Sequence, residues 1–331
     1  MQFKSNKGYS SVGQLGMLLL FLGVGLVLTT IMQMIIGIKI TPPGTPLEKI
    51  GEAMLQSMKD PQNVSIIRIL QITSTCFMFF IPAFLFSLVC NGKELFWIGF
   101  NKYFNGFQVL IGFLIIFAAN IMAGPLQELS EKIISNFYSL NLFSIRLEEA
   151  YNEQVVLLSN LKGVGDLVLA LIIMAFFPAL FEELFFRGAL QTILVKWWKK
   201  PIIAILVTSI IFSLIHMSIY LFLSRVALGF VLGLLFYKTK NIWVNTIAHF
   251  LNNALAVLQM YTLSNAKEKI DVSKLDPHFD WWIGVLAIFV LIALFNFLNK
   301  YTSLNVLKIN AKETQLLSNR IPDNPFEGFG T

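Results

Sequence analysis

Apolar and polar residues fall into long blocks along this chain. Eight apolar runs stand out, at 14–38, 66–90, 107–122, 167–195, 202–220, 226–237, 242–261 and 281–298. A helix needs about 20 mostly apolar residues to cross a bilayer, so the shorter runs are expected to extend into their flanks. The pattern predicts an all-α polytopic membrane protein of about eight transmembrane helices. The first run is long for a signal peptide and lacks a small-residue cleavage site, so it is expected to stay in the mature chain. The predicted organisation is a cytoplasmic amino-terminal segment 1–13, a membrane domain 14–298 and a polar tail 299–331 ending in "IPDNPFEGFGT", which is expected to be poorly ordered.

Within the loop 123–164, Ile133, Ile134, Phe137 and Leu140 recur at helical spacing, which predicts an interfacial helix. Gly229 and Gly233 form a G-x-x-x-G pair in the sixth run, a pattern for close helix packing. Pro82 and Pro178 lie inside runs and predict kinks. Trp197, Trp198, Trp281 and Trp282 lie at run ends, where indole rings anchor helices to the interface.

Composition agrees with a bilayer as the solvent. Hydrophobic residues make up 56% of the 331 positions and charged residues 13%, about half the share of ordinary soluble domains. The net charge is +6, but the basic residues gather at run ends, which argues for membrane topology rather than nucleic-acid binding. The short loops "KWWKK" and "KTKN" place both termini on the cytoplasmic side of a multi-pass cell-membrane protein. Membrane lipid is therefore one partner. Cys76 and Cys90 share one predicted helix, roughly 21 Å apart, and cannot pair there.

The run 167–195 carries three charged side chains, all inside "FEELFFRGAL": Glu182, Glu183 and Arg187. Each costs roughly 2.5–3.5 kcal/mol at a helix centre, so partners are required. Glu183 and Arg187 stand four residues apart, about 40° around a helix, in ion-pair geometry. Glu182 points elsewhere. Two of the chain's three histidines lie in other runs, His216 closing "FSLIH" and His249 opening "HFLNN". His278, in "DPHFD", is expected to be exposed. Glu182 precedes Lys199 by 17 residues and His216 follows it by 17, so an antiparallel hairpin brings both to one depth. His249 and Asn253 share a helix face, but this level is shallower by several ångströms, counted from the next turn.

A glutamate and a histidine around one water make it a nucleophile, and a histidine with an asparagine can stabilise the oxygen of an attacked carbonyl. The same Glu182, His216 and His249 could instead ligate a divalent metal such as zinc. An intramembrane Glu–His set also suits a proton relay or transporter.

The ordered set E-E-x-x-x-R (Glu182, Glu183, Arg187), F-x-x-x-H (Phe212, His216) and H-x-x-x-N (His249, Asn253) resembles the CPBP family, the CAAX-protease and bacteriocin-processing (Abi) intramembrane endopeptidases. The resemblance covers about 165–260. It implies a multi-helix membrane protease with its site buried between helices and a peptide or membrane-protein substrate. It further implies Glu182 as the base that activates water, assisted by His216, with His249 and Asn253 as the oxyanion site. Glu183 and Arg187 would order the site, and Phe212 would pack on His216 or line the cavity. The family is described both as metal-dependent and as metal-free; a route requiring no cofactor is the favoured expectation. Non-enzymatic family members, linked to peptide-toxin self-immunity or to scaffolding, are the alternative.

Overall fold

The computed structural model describes residues 4–158, 161, 163–265 and 279–318. His278 and the end of the tail lie outside them. Its helices are α1 (Ser11–Ile40), α2 (Ile50–Lys59), α3 (Pro61–Asn91), α4 (Gly106–Ser135), α5 (Tyr138–Leu158), α6 (Val164–Trp198), α7 (Pro201–Ile215), α8 (Phe222–Thr239), α9 (Ile242–Asn265) and α10 (Trp281–Ser318). Every apolar run maps onto one of them. Six of these helices (α1, α3, α4, α6, α8 and α10) are long and apolar enough to cross a membrane. The other two runs form α7, which is only 15 residues long, and α9, which carries His249 and several asparagines. The chain is a polytopic all-α membrane protein. Leu19, Leu20, Val24 and Val27 on α1, and Phe289 and Ile292 on α10, face outward, as lipid-facing side chains do.

Two of the prolines inside helices, Pro82 and Pro178, are met by local unwinding rather than a simple bend. A π-helical turn, Cys76–Phe80, precedes Pro82, and another, Leu171–Phe176, precedes Pro178. Proline has no N–H to give to the carbonyl four residues back, and its ring collides with that carbonyl. A wider turn moves the carbonyl aside. A third π segment, Leu184–Gln191, follows the two glutamates without a proline. Hydrogen bonds from its side chains to α8 hold it: Arg187 Nη2 donates to Gly229 O (3.1 Å) and Gln191 Nε2 to Gly233 O (2.9 Å).

The glycine pair thus serves two faces. A Cβ on Gly229 would lie 3.2 Å from the Ser209 Cβ, and one on Gly233 2.6 Å from Ile205 Cγ2. Their bareness lets α7 and α8 close together, and their carbonyls receive the α6 side chains.

Basic residues converge at one end of the bundle. Lys196 Nζ bonds Glu313 Oε1 (2.7 Å), Lys240 Nζ bonds Asn310 Oδ1 (2.6 Å) and Lys238 Nζ bonds Asn299 Oδ1 (2.8 Å). These contacts, with Thr302 and Ile309 buried, carry α10 on to Ser318. The polar tail from 299, expected to be poorly ordered, is thus helical as far as Ser318. Its polar residues are poor lipid contacts but good partners for the lysines.

The loop 123–164 also differs from expectation. Ile133 and Ile134 belong to the end of α4, the chain turns at Asn136 and Phe137, and Leu140 lies in the first turn of a second helix, α5. No single helix unites the four residues. Ile134 is buried, whereas Ile133, Phe137 and Leu140 are exposed. Helix α5 is tied across the opposite end of the bundle by Arg68 Nη2 to Leu158 O (3.2 Å) and by the Lys59–Glu153 pair (2.5 Å).

Candidate functional site

Glu182 and Glu183 sit on the α-helical turn of α6 between two π segments. Such bulges recur at functional sites because they re-aim side chains that a regular helix would set elsewhere. Glu182 is 8% exposed and Glu183 fully buried.

Glu183 is a hub. Its Oε1 accepts from Arg187 Nη1 (2.8 Å) and from His249 Nδ1 (2.9 Å), while Oε2 accepts from Asn245 Nδ2 (2.9 Å). The i,i+4 ion pair read from the sequence is present, with Arg187 1% exposed. Asn245 was not singled out beforehand. It stands four residues before His249, as His249 stands four before Asn253, so one face of α9 carries Asn245, His249 and Asn253. That spacing is the signal that was available.

Glu182 points into a cavity of about 760 Å³ that His216, His249, Asn252, Asn253 and Phe212 also line. Its Oε2 lies 3.8 Å from His216 Nε2 and 3.9 Å from His249 Nε2. The depth mismatch counted for His249 is closed by the α8–α9 turn. Asn241 and Ile242 are fully buried, with Ile242 N donating to Gly99 O (2.9 Å) and Asn241 Nδ2 to Asn101 O (3.0 Å). The turn at Lys199 and Lys200 is exposed. A recessed turn needs fewer residues to reach the same level. Gly99, at φ 93°, permits the recess, since a Cβ there would stand 2.8 Å from the Phe236 ring.

His216 is not within a span. Helix α7 ends at Ile215, and Met217 follows in the left-handed region (φ 54°). The His216 Nδ1 donates to Phe212 O (2.7 Å), which leaves Nε2 with its lone pair toward the cavity. The Phe212 ring lies 4.5 Å from the His216 ring, 6.1 Å from the His249 ring and 4.8 Å from the Arg187 guanidinium, so it both packs on His216 and lines the cavity.

Asn253 is oriented by two neighbours the sequence left unassigned. Asn120 Nδ2 on α4 donates to Asn252 Oδ1 (2.6 Å), and Asn252 Nδ2 donates to Asn253 Oδ1 (3.3 Å). That leaves the Asn253 Nδ2 as the group with hydrogens to give.

The cavity is lined by Pro178 and Glu182 on α6, Ile116 to Glu131 on α4, Ser224 to Leu232 on α8, and His249 onward on α9. Helix α5 contributes Glu148, Tyr151 and Asn152. In the α7–α8 loop, Ser218 Oγ donates to Glu148 Oε2 (3.1 Å) and Tyr220 OH to Asn141 Oδ1 (2.6 Å). Burial, then the charges of Glu131 and Glu148, raise the Tyr220 phenol above its ordinary range and keep it a donor.

Among the described residues, no three His, Cys, Asp or Glu side chains are arranged to hold a metal ion. Two donors each about 2.0 Å from a tetrahedral zinc stand roughly 3.3 Å apart, less than the 3.8 and 3.9 Å separations from Glu182. Cys76 and Cys90 are both free thiols.

Residues 164–255 match the family model of the type II CAAX prenyl endopeptidase Rce1-like proteins. The resemblance to the CPBP family is thereby borne out over the motif-bearing segment. A protein of Bacillus subtilis (strain 168) named "Putative membrane peptidase YdiL" is 28% identical over 156 residues, which are 46% of this chain. The chain spans 59% of that relative's length. No solved structure matches.

Proposed function

We propose that this chain is an intramembrane endopeptidase that hydrolyses a peptide bond with a water held by Glu182 and His216. The observation that carries this is the convergence of the Glu182 carboxylate with two imidazole Nε2 atoms, at 3.8 and 3.9 Å, inside one cavity. These separations exceed a direct hydrogen bond and suit one bridging water.

The hydrogen-bond pattern supports the division of labour. One water proton is accepted by Glu182 Oε2 and the other by His216 Nε2, so an oxygen lone pair is left for the substrate carbonyl. Attack forms the C–O bond and moves a proton to Glu182. Collapse of the adduct breaks the C–N bond, and that proton passes to the departing amine. The developing oxyanion is met by Asn253 Nδ2 and His249 Nε2.

For His249 this role has a condition. Its Nδ1 already donates to Glu183, so Nε2 donates only when the ring carries both protons. Glu182 and Glu183 would then be negative and Arg187 and His249 positive.

By the positive-inside rule we read the lysine end, with both termini, as the cytoplasmic side, and α5 as lying on the opposite side. The substrate is a peptide or membrane protein. The reading is tested by adding purified protein in lipid vesicles to a membrane-protein extract and mapping new termini. Wild type should generate termini that Glu182→Gln does not; identical termini from both would sink it. A cellular phenotype that survives Glu182→Gln would mark the non-enzymatic role instead.

A further inference from the structure

Glu182 stands within α6, and His249 and Asn253 stand within α9, but His216 follows the last residue of α7. It opens the loop 216–221, and Met217 beside it takes a left-handed backbone (φ 54°), which disfavours any residue with a Cβ. Such a conformation persists where surrounding contacts hold it. The bond between His216 Nδ1 and Phe212 O orients the ring, but it does not hold the backbone that carries the ring onward into the loop.

The far end of the loop is secured within the bundle. Ser213 Oγ on α7 donates to Phe222 O (2.9 Å), and Leu223 N donates to Ser130 Oγ on α4 (3.2 Å). The middle is secured from α5. Ser218 Oγ donates to Glu148 Oε2 (3.1 Å), and Tyr220 OH donates to Asn141 Oδ1 (2.6 Å). Ser218 is buried, so water does not readily replace its bond. A third tie reaches His216 itself. Arg225 Nη1 lies 3.5 Å from His216 O, and the same guanidinium stands 5.7 Å from the centre of the Tyr151 ring on α5. Asn141, Glu148 and Tyr151 follow one another at about two turns and one turn of helix, so a single face of α5 addresses the loop.

We propose that α5 is a strap that positions His216, with Glu148 acting through Ser218 and Asn141 acting through Tyr220. This rests on the peptidase reading, in which His216 Nε2 and Glu182 Oε2, 3.8 Å apart, share one water. The rate of such a step depends on alignment to within about an ångström. A histidine at the end of a helix lacks that precision by itself, and the contacts from α5 supply it. Glu148 and Asn141 touch no reacting atom, so they are positioning residues.

Isotope-labelled histidine tests this, because the chain has three histidines. Full-length protein in lipid nanodiscs is followed by NMR, with the imidazole signals assigned through His216→Gln and His249→Gln. The double variant Ser218→Ala, Tyr220→Phe should move or broaden the His216 signal and leave that of His249 in place. Glu148→Ala cuts the first tie from the α5 side and should move His216 as well; it keeps the test open should the double variant melt early. Glu148→Gln, which retains an accepting oxygen, should keep the His216 signal near its wild-type place. Where a peptide is cleaved, the double variant and Glu148→Ala should lower turnover roughly ten-fold at unchanged KM. A His216 signal that stays in place overturns the proposal, as does unchanged turnover beside a displaced His216. An equal displacement of His249 also overturns it, since that marks general loosening of the bundle. If wild type cleaves no peptide, the peptidase reading fails, yet the His216 signal still decides whether α5 holds the loop.

Discussion

The Nδ1 of His249 lies 2.9 Å from the same Glu183 oxygen that Arg187 holds at 2.8 Å. Two cationic or potentially cationic groups from different helices therefore share one buried carboxylate atom. The ion pair within α6 does more than satisfy itself. It fixes an imidazole on α9 so that its other nitrogen faces Glu182 across the cavity.

Removing Arg187 should therefore be costly in two ways. Arg187→Ala leaves a fully buried carboxylate without its main counter-charge, an effect of roughly 3–5 kcal/mol. The double variant Glu183→Gln, Arg187→Met should recover most of the melting temperature in detergent but not activity, since His249 loses its charged acceptor. Recovery of both together would show that Glu183 is structural alone.

Glu182→Gln should lower peptide-bond hydrolysis by about 10²–10⁴-fold, the range for loss of a general base. Its melting temperature should match wild type, because Glu182 borders the cavity rather than the packed core. Single-turnover cleavage and a thermal melt on the same preparation check both.

The Asn120–Asn252–Asn253 series predicts a distance effect on turnover. Asn120→Ala removes a donor on α4 that touches no reacting atom, yet it frees Asn252 to rotate and leaves Asn253 less well aimed. We expect turnover to fall by about ten-fold with KM unchanged, against a stability cost of about 1 kcal/mol. A variant that changes melting but not turnover would make the series merely structural.

Activity should persist after dialysis against EDTA or 1,10-phenanthroline, because the proposed route places only water between Glu182 and the imidazoles. Loss of cleavage that zinc restores would overturn that part of the reading.

Gly233→Val should separate α7 from α8, since even a Cβ meets Ile205 Cγ2 at 2.6 Å and Gln191 Oε1 at 2.8 Å. Overpacking of this kind costs typically 1–3 kcal/mol. Gly23→Ala on α1, where a Cβ meets nothing within 4 Å, is the neutral control. Thermal melting of the two side by side gives the comparison.

The pattern of apolar runs located every long membrane helix, because a span's length and its apolarity are both properties of a local stretch. It also picked out Glu182, Glu183, Arg187, His216 and His249, because a charge or imidazole in such a run stands out against its neighbours. The polar partners that complete the site were harder to see. Asn245 and Asn252 lie on a helix with many asparagines, and Asn120 and Arg225 lie near run ends, where polar residues are ordinary.

What the sequence determined by itself was the fold class and the residues that cannot be there without a partner, since the free-energy cost of a charge in an apolar helix is set locally. Which partner each one takes was decided by the tertiary structure. The recessed turn at Asn241, the π segments of α6 and the bare faces of Gly229 and Gly233 set how deep each helix sits and how close it comes. These are offsets between helices that no spacing along the chain encodes. They separate a glutamate paired with an arginine from one that faces two imidazoles across a cavity.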